Sequence, residues 1–141
     1  MQAHKNSQAS QRRRLSIFIA DDNVDTVLTL SAILRDEGHL VHTCANGAIA
    51  LDAIRRSKPD VCILDIVMPG KNGFAIAREV KAMNLPLRPV LIAISGVFVK
   101  PTDKVLAESA GFDHLITKPA DPKVLLDLLD RIAGGDAPSA A

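Results

Sequence analysis

The chain has no tryptophan and no tyrosine, and its four phenylalanines bring aromatics to only 3%. A core built from it must be aliphatic, and a hydrophobic content of 48% in 141 residues is enough to fill one. Neither sign of charge prevails. The formal net charge is +1, which gives no case for binding nucleic acid or a membrane surface. No apolar run approaches the roughly 20 residues that a membrane helix needs. The N-terminus is polar and basic, without the apolar stretch of a secretory signal, so a cytoplasmic location is expected. There are only two cysteines, Cys44 and Cys62. Their spacing matches no zinc motif, and a reducing compartment argues against a disulfide. Each falls in an expected strand, where a small buried thiol is the expected state.

What the chain does have is five short apolar runs, bounded by turn residues and separated by helical patterns. The runs predict parallel strands at 15–20, 39–44, 60–65, 90–94 and 113–117. Between the first two, Val27, Leu28, Leu30, Ile33 and Leu34 recur at helical spacing, and Gly38 stops that helix. Further helices are predicted over 46–56, 73–83 and 103–110, the last capped by Thr102. A final helix, capped by Asp121, aligns Val124, Leu125, Leu128, Leu129 and Ile132 on one apolar face. Five strand–helix units with right-handed crossovers make an α/β fold, one doubly wound parallel sheet with helices on both faces. The expected organisation is a disordered basic arm at 1–14, ending in Arg12, Arg13 and Arg14, one domain at 15–133, and a flexible tail at 134–141.

Four of these runs end in polar chemistry. The first runs into Asp21 and Asp22, the third ends in Asp65, the fourth meets Ser95, and the fifth leads to Lys118 and Pro119. In a parallel sheet all strand C-termini open on one edge, and ligands bind in the crevice there. Five residues far apart in sequence are therefore expected to share one pocket. Each has a plain structural reading too: an aspartate can cap a helix, a serine a turn, and a lysine can lie in solvent. One aspartate suffices for a cap, however, and a pair beside a third carboxylate suits a hard cation such as Mg²⁺. A lysine and a hydroxyl opposite suit an anion. An aspartate is also a competent nucleophile toward a phosphoryl group.

The motifs DD at Asp21–Asp22, D-x-x-M-P-x-x-x-G from Asp65 to Gly73, S-G at Ser95–Gly96, A-G at Ala110–Gly111 and K-P at Lys118–Pro119 occur in that order. In this the chain resembles the receiver domain of two-component response regulators over residues 15–133. The resemblance implies a flavodoxin-like (βα)5 sheet of strand order 2-1-3-4-5. It implies Asp65 as phosphoacceptor, with Asp22, Asp65 and the Val67 backbone carbonyl ligating Mg²⁺, Asp21 assisting, and Ser95 and Lys118 contacting the phosphoryl group. It further implies a histidine kinase or histidine phosphotransfer protein as donor and a downstream protein as target. A receiver gains and loses its phosphoryl group without a turnover substrate, so it is a switch rather than an enzyme. A monomer or weak dimer is expected, with Leu115 and Leu126 as candidate dimer-face residues.

The sequence departs from the receiver pattern in three places. Leu115 stands where the family usually carries Phe or Tyr, so the usual aromatic switch is absent; His114 is expected on the opposite face of the strand. The segment from Ser95 to Gly111 is about one residue longer than usual, and rearrangement of 96–104 is expected to carry the signal, to be read from chemical shifts. Val67 and Val97 occupy positions that help set hydrolysis of the phosphoryl group. Valine neither orients nor deprotonates water, so a long-lived phosphoprotein is expected, to be checked by its decay after purification. The competing readings are a phosphorylation-independent interaction module, a receiver fragment of a hybrid histidine kinase, and a hydrolase working through an aspartyl phosphate. The hydrolase would need a second acid–base carboxylate and a cap segment, and neither is present in the sequence.

Overall fold

The computed structural model describes residues 13–96 and 101–135. The arm expected at 1–14 lies almost wholly outside the described residues, as do Val97, most of the 95–101 loop and nearly all of the expected tail. In chain order the elements are β1 (Ser16–Ala20), α1 (Val24–Asp36), β2 (Leu40–Cys44), α2 (Gly47–Ser57), β3 (Val61–Asp65), α3 (Gly73–Ala82), β4 (Val90–Ser95), α4 (Pro101–Ala110), β5 (His114–Thr117) and α5 (Pro122–Ala133). All strand pairs are parallel, and the order across the sheet is β2-β1-β3-β4-β5.

Alternation along the strands divides the core in two. Ile17, Ile19, Val61, Ile63, Ile92 and Ile94 face α1 and α5, meeting Leu30, Leu34, Leu125 and Leu129. Their neighbours Phe18, Ala20, Cys62, Leu64, Leu91 and Ala93 face α2, α3 and α4, meeting Ile54, Ile76 and Ala107. The central strands are thus buried on both faces, which is why they read as continuous apolar runs. Leu115 packs at the margin of the second half and Leu126 at the margin of the first. The two candidate dimer-face leucines therefore pack against different halves of the core.

Helix starts are set by asparagines. Asn23, Asn46 and Asn72 precede α1, α2 and α3, and their side chains accept from the backbone N–H of Thr26, Ala48 and Ala75. Asp121 caps α5 as expected. Thr102 does not cap α4: Pro101 is already helical, and its missing N–H suits a first turn. Cys44 is only half-buried, because β2 is an edge strand, whereas Cys62 is fully buried. Burial pushes both thiols up, although a backbone hydrogen bond at Asn46 opposes this for Cys44. With β1 between their strands, both cysteines are free. Among the described residues no helix is long and apolar enough to cross a membrane.

Candidate functional site

Sheet register brings the polar strand ends together. Ala20 pairs with Leu64, so Asp21 and Asp65 emerge at the same level from neighbouring strands. Asp65 pairs with Ile94 and Ser95 with Thr117, which sets Ser95 and Lys118 one step further along. The Lys118 N–H donates to the Ser95 carbonyl at 2.7 Å, fixing where the lysine leaves the sheet. The Lys118–Pro119 peptide is cis.

The lysine side chain turns back across the pocket. Its Nζ lies 2.8 Å from Asp21 Oδ2 and 3.4 Å from Asp65 Oδ2. One oxygen from each of Asp21, Asp22 and Asp65 lies within 4.8 Å of the others. Asp21 and Asp65 are buried, at 2% and 5% exposure, whereas Asp22 is open to solvent. Ser95 is buried at the end of β4. Since Asn23 caps α1, neither Asp21 nor Asp22 is needed for that role. Asp21 instead accepts from the Asn23 N–H through Oδ1 at 2.9 Å, which holds its carboxylate in place. Asp65 Oδ1 accepts from the Val67 N–H at 3.2 Å.

The electrostatics are unbalanced. Burial, and then the neighbouring Asp21 carboxylate, push the Asp65 carboxyl up to about 6, although Lys118 and the Val67 amide pull the other way. Burial by itself lowers the Lys118 ammonium, but its bond and charge pairing with Asp21, then Asp65, outweigh this and hold it above its ordinary value. One lysine thus faces two buried carboxylates with a third at the rim. The donors are hard carboxylate oxygens, crowded, with repulsion a divalent cation would relieve; this set fits Mg²⁺. Acidic residues at the other edge of the sheet differ. Asp60 accepts from the Ser16 N–H and Asp113 from the Leu91 N–H, so both are spent on backbone donors.

The loop between β3 and α3 was legible only in part. Gly73 follows from the motif, and its reason is steric: a Cβ there would stand 2.6 Å from the Asp65 carbonyl oxygen. Gly47, outside every motif quoted for the resemblance, makes a still closer approach. A Cβ on it would fall 1.7 Å from the Lys71 carbonyl oxygen. The sequence signal was an Asn-Gly pair after the second strand, which reads equally well as a helix start.

A five-stranded parallel sheet of order 2-1-3-4-5, with an acidic cluster and a lysine at its carboxyl edge, defines a signalling receiver. The chain belongs to the response regulator receiver domain family, whose model matches residues 17–130. It is 36% identical to the protein PilH of Pseudomonas aeruginosa over 120 residues, 84% of this chain and 98% of that protein. Among solved structures, the chemotaxis protein CheY4 of Vibrio cholerae superposes with a TM-score of 0.78 at 26% identity, over 84% of this chain and 98% of that one. The receiver domain of a histidine kinase from Syntrophus aciditrophicus gives 0.75 at 30% identity, over 86% and 91% of the two chains. Receivers of this family are signalling switches rather than metabolic enzymes, and they work with histidine kinases and downstream targets. Phosphorylation and Mg²⁺ binding are general features of the family.

Proposed function

We propose that this receiver takes a phosphoryl group onto Asp65 from a phosphohistidine donor, in a Mg²⁺-dependent reaction, and signals to a protein partner through a change of conformation. The donor is a histidine kinase or a histidine phosphotransfer protein, and the location is cytoplasmic. The observation that carries this reading is the pocket itself, where Lys118 Nζ lies 2.8 Å and 3.4 Å from two buried aspartates that share a cluster with Asp22. Residues 15–133 are taken as the functional unit, since α5 ends at Ala133.

Asp21, Asp22, Asp65 and the Val67 carbonyl would hold the metal. Bound Mg²⁺ supplies positive charge against the carboxylates and the phosphoryl oxygens. Asp65 acts as nucleophile: a carboxylate oxygen forms a bond to phosphorus, the phosphorus–nitrogen bond to the donor imidazole breaks, and the imidazole leaves with its electron pair. Lys118, already poised over Asp65, pairs with an oxygen of the transferred group. Ser95 donates a hydroxyl hydrogen bond to another. These contacts draw the ends of β4 and β5 toward the new charge, which gives the switch a mechanical start without an aromatic at position 115.

Intact mass after incubation with a small phosphodonor tests this reading. A gain of one phosphoryl group is expected with Mg²⁺, and none without it or in Asp65→Asn. An unchanged mass under every condition would replace this reading with the phosphorylation-independent module.

A further inference from the structure

The loop that carries Val67 is gripped from a second direction, by the start of α2. The Gly47 N–H donates to the Pro69 carbonyl at 3.0 Å. No side chain fits between the two segments: a Cβ on Gly47 would lie 1.7 Å from the Lys71 oxygen and 2.6 Å from the Lys71 carbonyl carbon. The contact is reciprocal. Gly70 has φ +85°, and a Cβ there would come 2.5 Å from Asn46 Oδ1 and 2.9 Å from the Ala48 nitrogen. Met68, between these points and Asp65, is buried in the core half formed with α2, α3 and α4. At its far end the loop is closed by the Gly73 N–H, which donates to the Ile66 carbonyl at 2.9 Å. The segment 66–72 is therefore clamped at its middle and at both ends, and it holds the carbonyl assigned to the metal.

We propose that Gly47 is a positioning residue for the metal site, setting the β3–α3 loop by direct backbone contact so that the Val67 carbonyl stays within reach of the cation. This rests on the Mg²⁺ reading given above. Gly47 touches no ligand side chain; it acts through Pro69 and Lys71. Any side chain at position 47 forces backbone, not a flexible tip, to move. Metal affinity commonly changes 10- to 100-fold when a group supporting the ligands is altered.

The experiment measures Mg²⁺ affinity calorimetrically for the wild-type chain, Gly47→Ala and Gly38→Ala, each with its unfolding midpoint without metal. Gly38, unlike Gly47, has positive φ, at +94°, and a Cβ there meets nothing within 4 Å, so its variant reports backbone strain alone. Gly47→Ala is expected to bind Mg²⁺ at least about tenfold more weakly, and Gly38→Ala as the wild type does. Linkage gives a second test that needs no variant. If the clamp favours metal binding, metal must favour the clamp by the same factor. Saturating Mg²⁺ should then slow exchange of the Gly47 amide in the wild-type chain. This measurement decides the matter if Gly47→Ala fails to fold. Equal affinity in Gly47→Ala, or an unchanged Gly47 exchange rate on metal saturation, overturns the positioning role while leaving the metal site standing. No Mg²⁺ binding by the wild-type chain overturns both.

Discussion

Asp65→Asn is expected to stabilise the metal-free protein, by about 2–3 kcal/mol at pH 8, although it removes the phosphoacceptor. The Asp65 carboxyl is pushed up to about 6, roughly two units above an ordinary aspartate, and each unit corresponds to about 1.4 kcal/mol. A carboxyl whose folded value exceeds its unfolded one binds protons more tightly when folded. Its penalty is therefore absent below about pH 4, grows between about 4 and 6, and is complete above that. The advantage of asparagine should follow the same curve. In a domain of this size it corresponds to a rise of about 6–10 °C in the melting temperature. Thermal unfolding in chelator between pH 4 and 8 measures it directly. A variant no more stable than wild type at pH 8 would show that Lys118 already cancels the repulsion. Adding Mg²⁺ should narrow or reverse the gap, since ligand at a hundred times its dissociation constant stabilises the wild type by about 2.7 kcal/mol.

Lys118→Met is expected to act in the opposite sense. It leaves Asp21 and Asp65, both almost fully buried, facing each other without their cation. Removing one partner of a buried ionic cluster typically costs about 3–5 kcal/mol, and a loss of about 3 kcal/mol is expected here at pH 8 without metal. The loss should shrink toward pH 5, because the Asp65 carboxyl, freed from the lysine that pulls it down, takes up a proton more readily. Mg²⁺ binding should move the other way, tightening about tenfold, because a competing positive charge has left the pocket. Urea unfolding at both pH values and a metal titration check the two halves. Weaker Mg²⁺ binding in Lys118→Met would mean that the lysine holds the carboxylates in their ligating geometry rather than competing with the ion. In Asp65→Asn/Lys118→Met the two effects should not add, since asparagine removes the carboxylate repulsion that loss of the lysine would leave unopposed.

Much of this architecture is legible in the chain. The stretches 17–20 in β1, 61–64 in β3 and 90–94 in β4 are apolar at every position because each is covered on both faces, and the helical stripes between them show which faces do the covering. The assignment fails where local chemistry competes. Thr102 offers a cap, but the helix already includes Pro101 before it. Cys44 reads as buried, but it lies on the edge strand, and strand position within a sheet is not a local property. Asp21 and Asp22 are ambiguous in sequence, since either can start a helix. The ambiguity is removed by Asn23, whose side chain takes the Thr26 N–H and leaves both aspartates for the pocket.

The sequence by itself determines the alternation of strands and helices, the aliphatic character of both core halves, and the kinds of side chain at each strand end. These depend on periodicity and on neighbours a few residues apart, so they survive without any knowledge of how the elements pack. The tertiary structure decides which of those side chains meet and in what electrostatic state. Lys118 reaches Asp65 across 53 positions of chain only because β1, β3, β4 and β5 share a register. The Asp65 carboxyl rises because burial and Asp21 act on it together, and Gly47 matters because the Lys71 carbonyl happens to lie against it. Desolvation and steric exclusion are properties of what surrounds a group in space, and no stretch of sequence contains that surrounding.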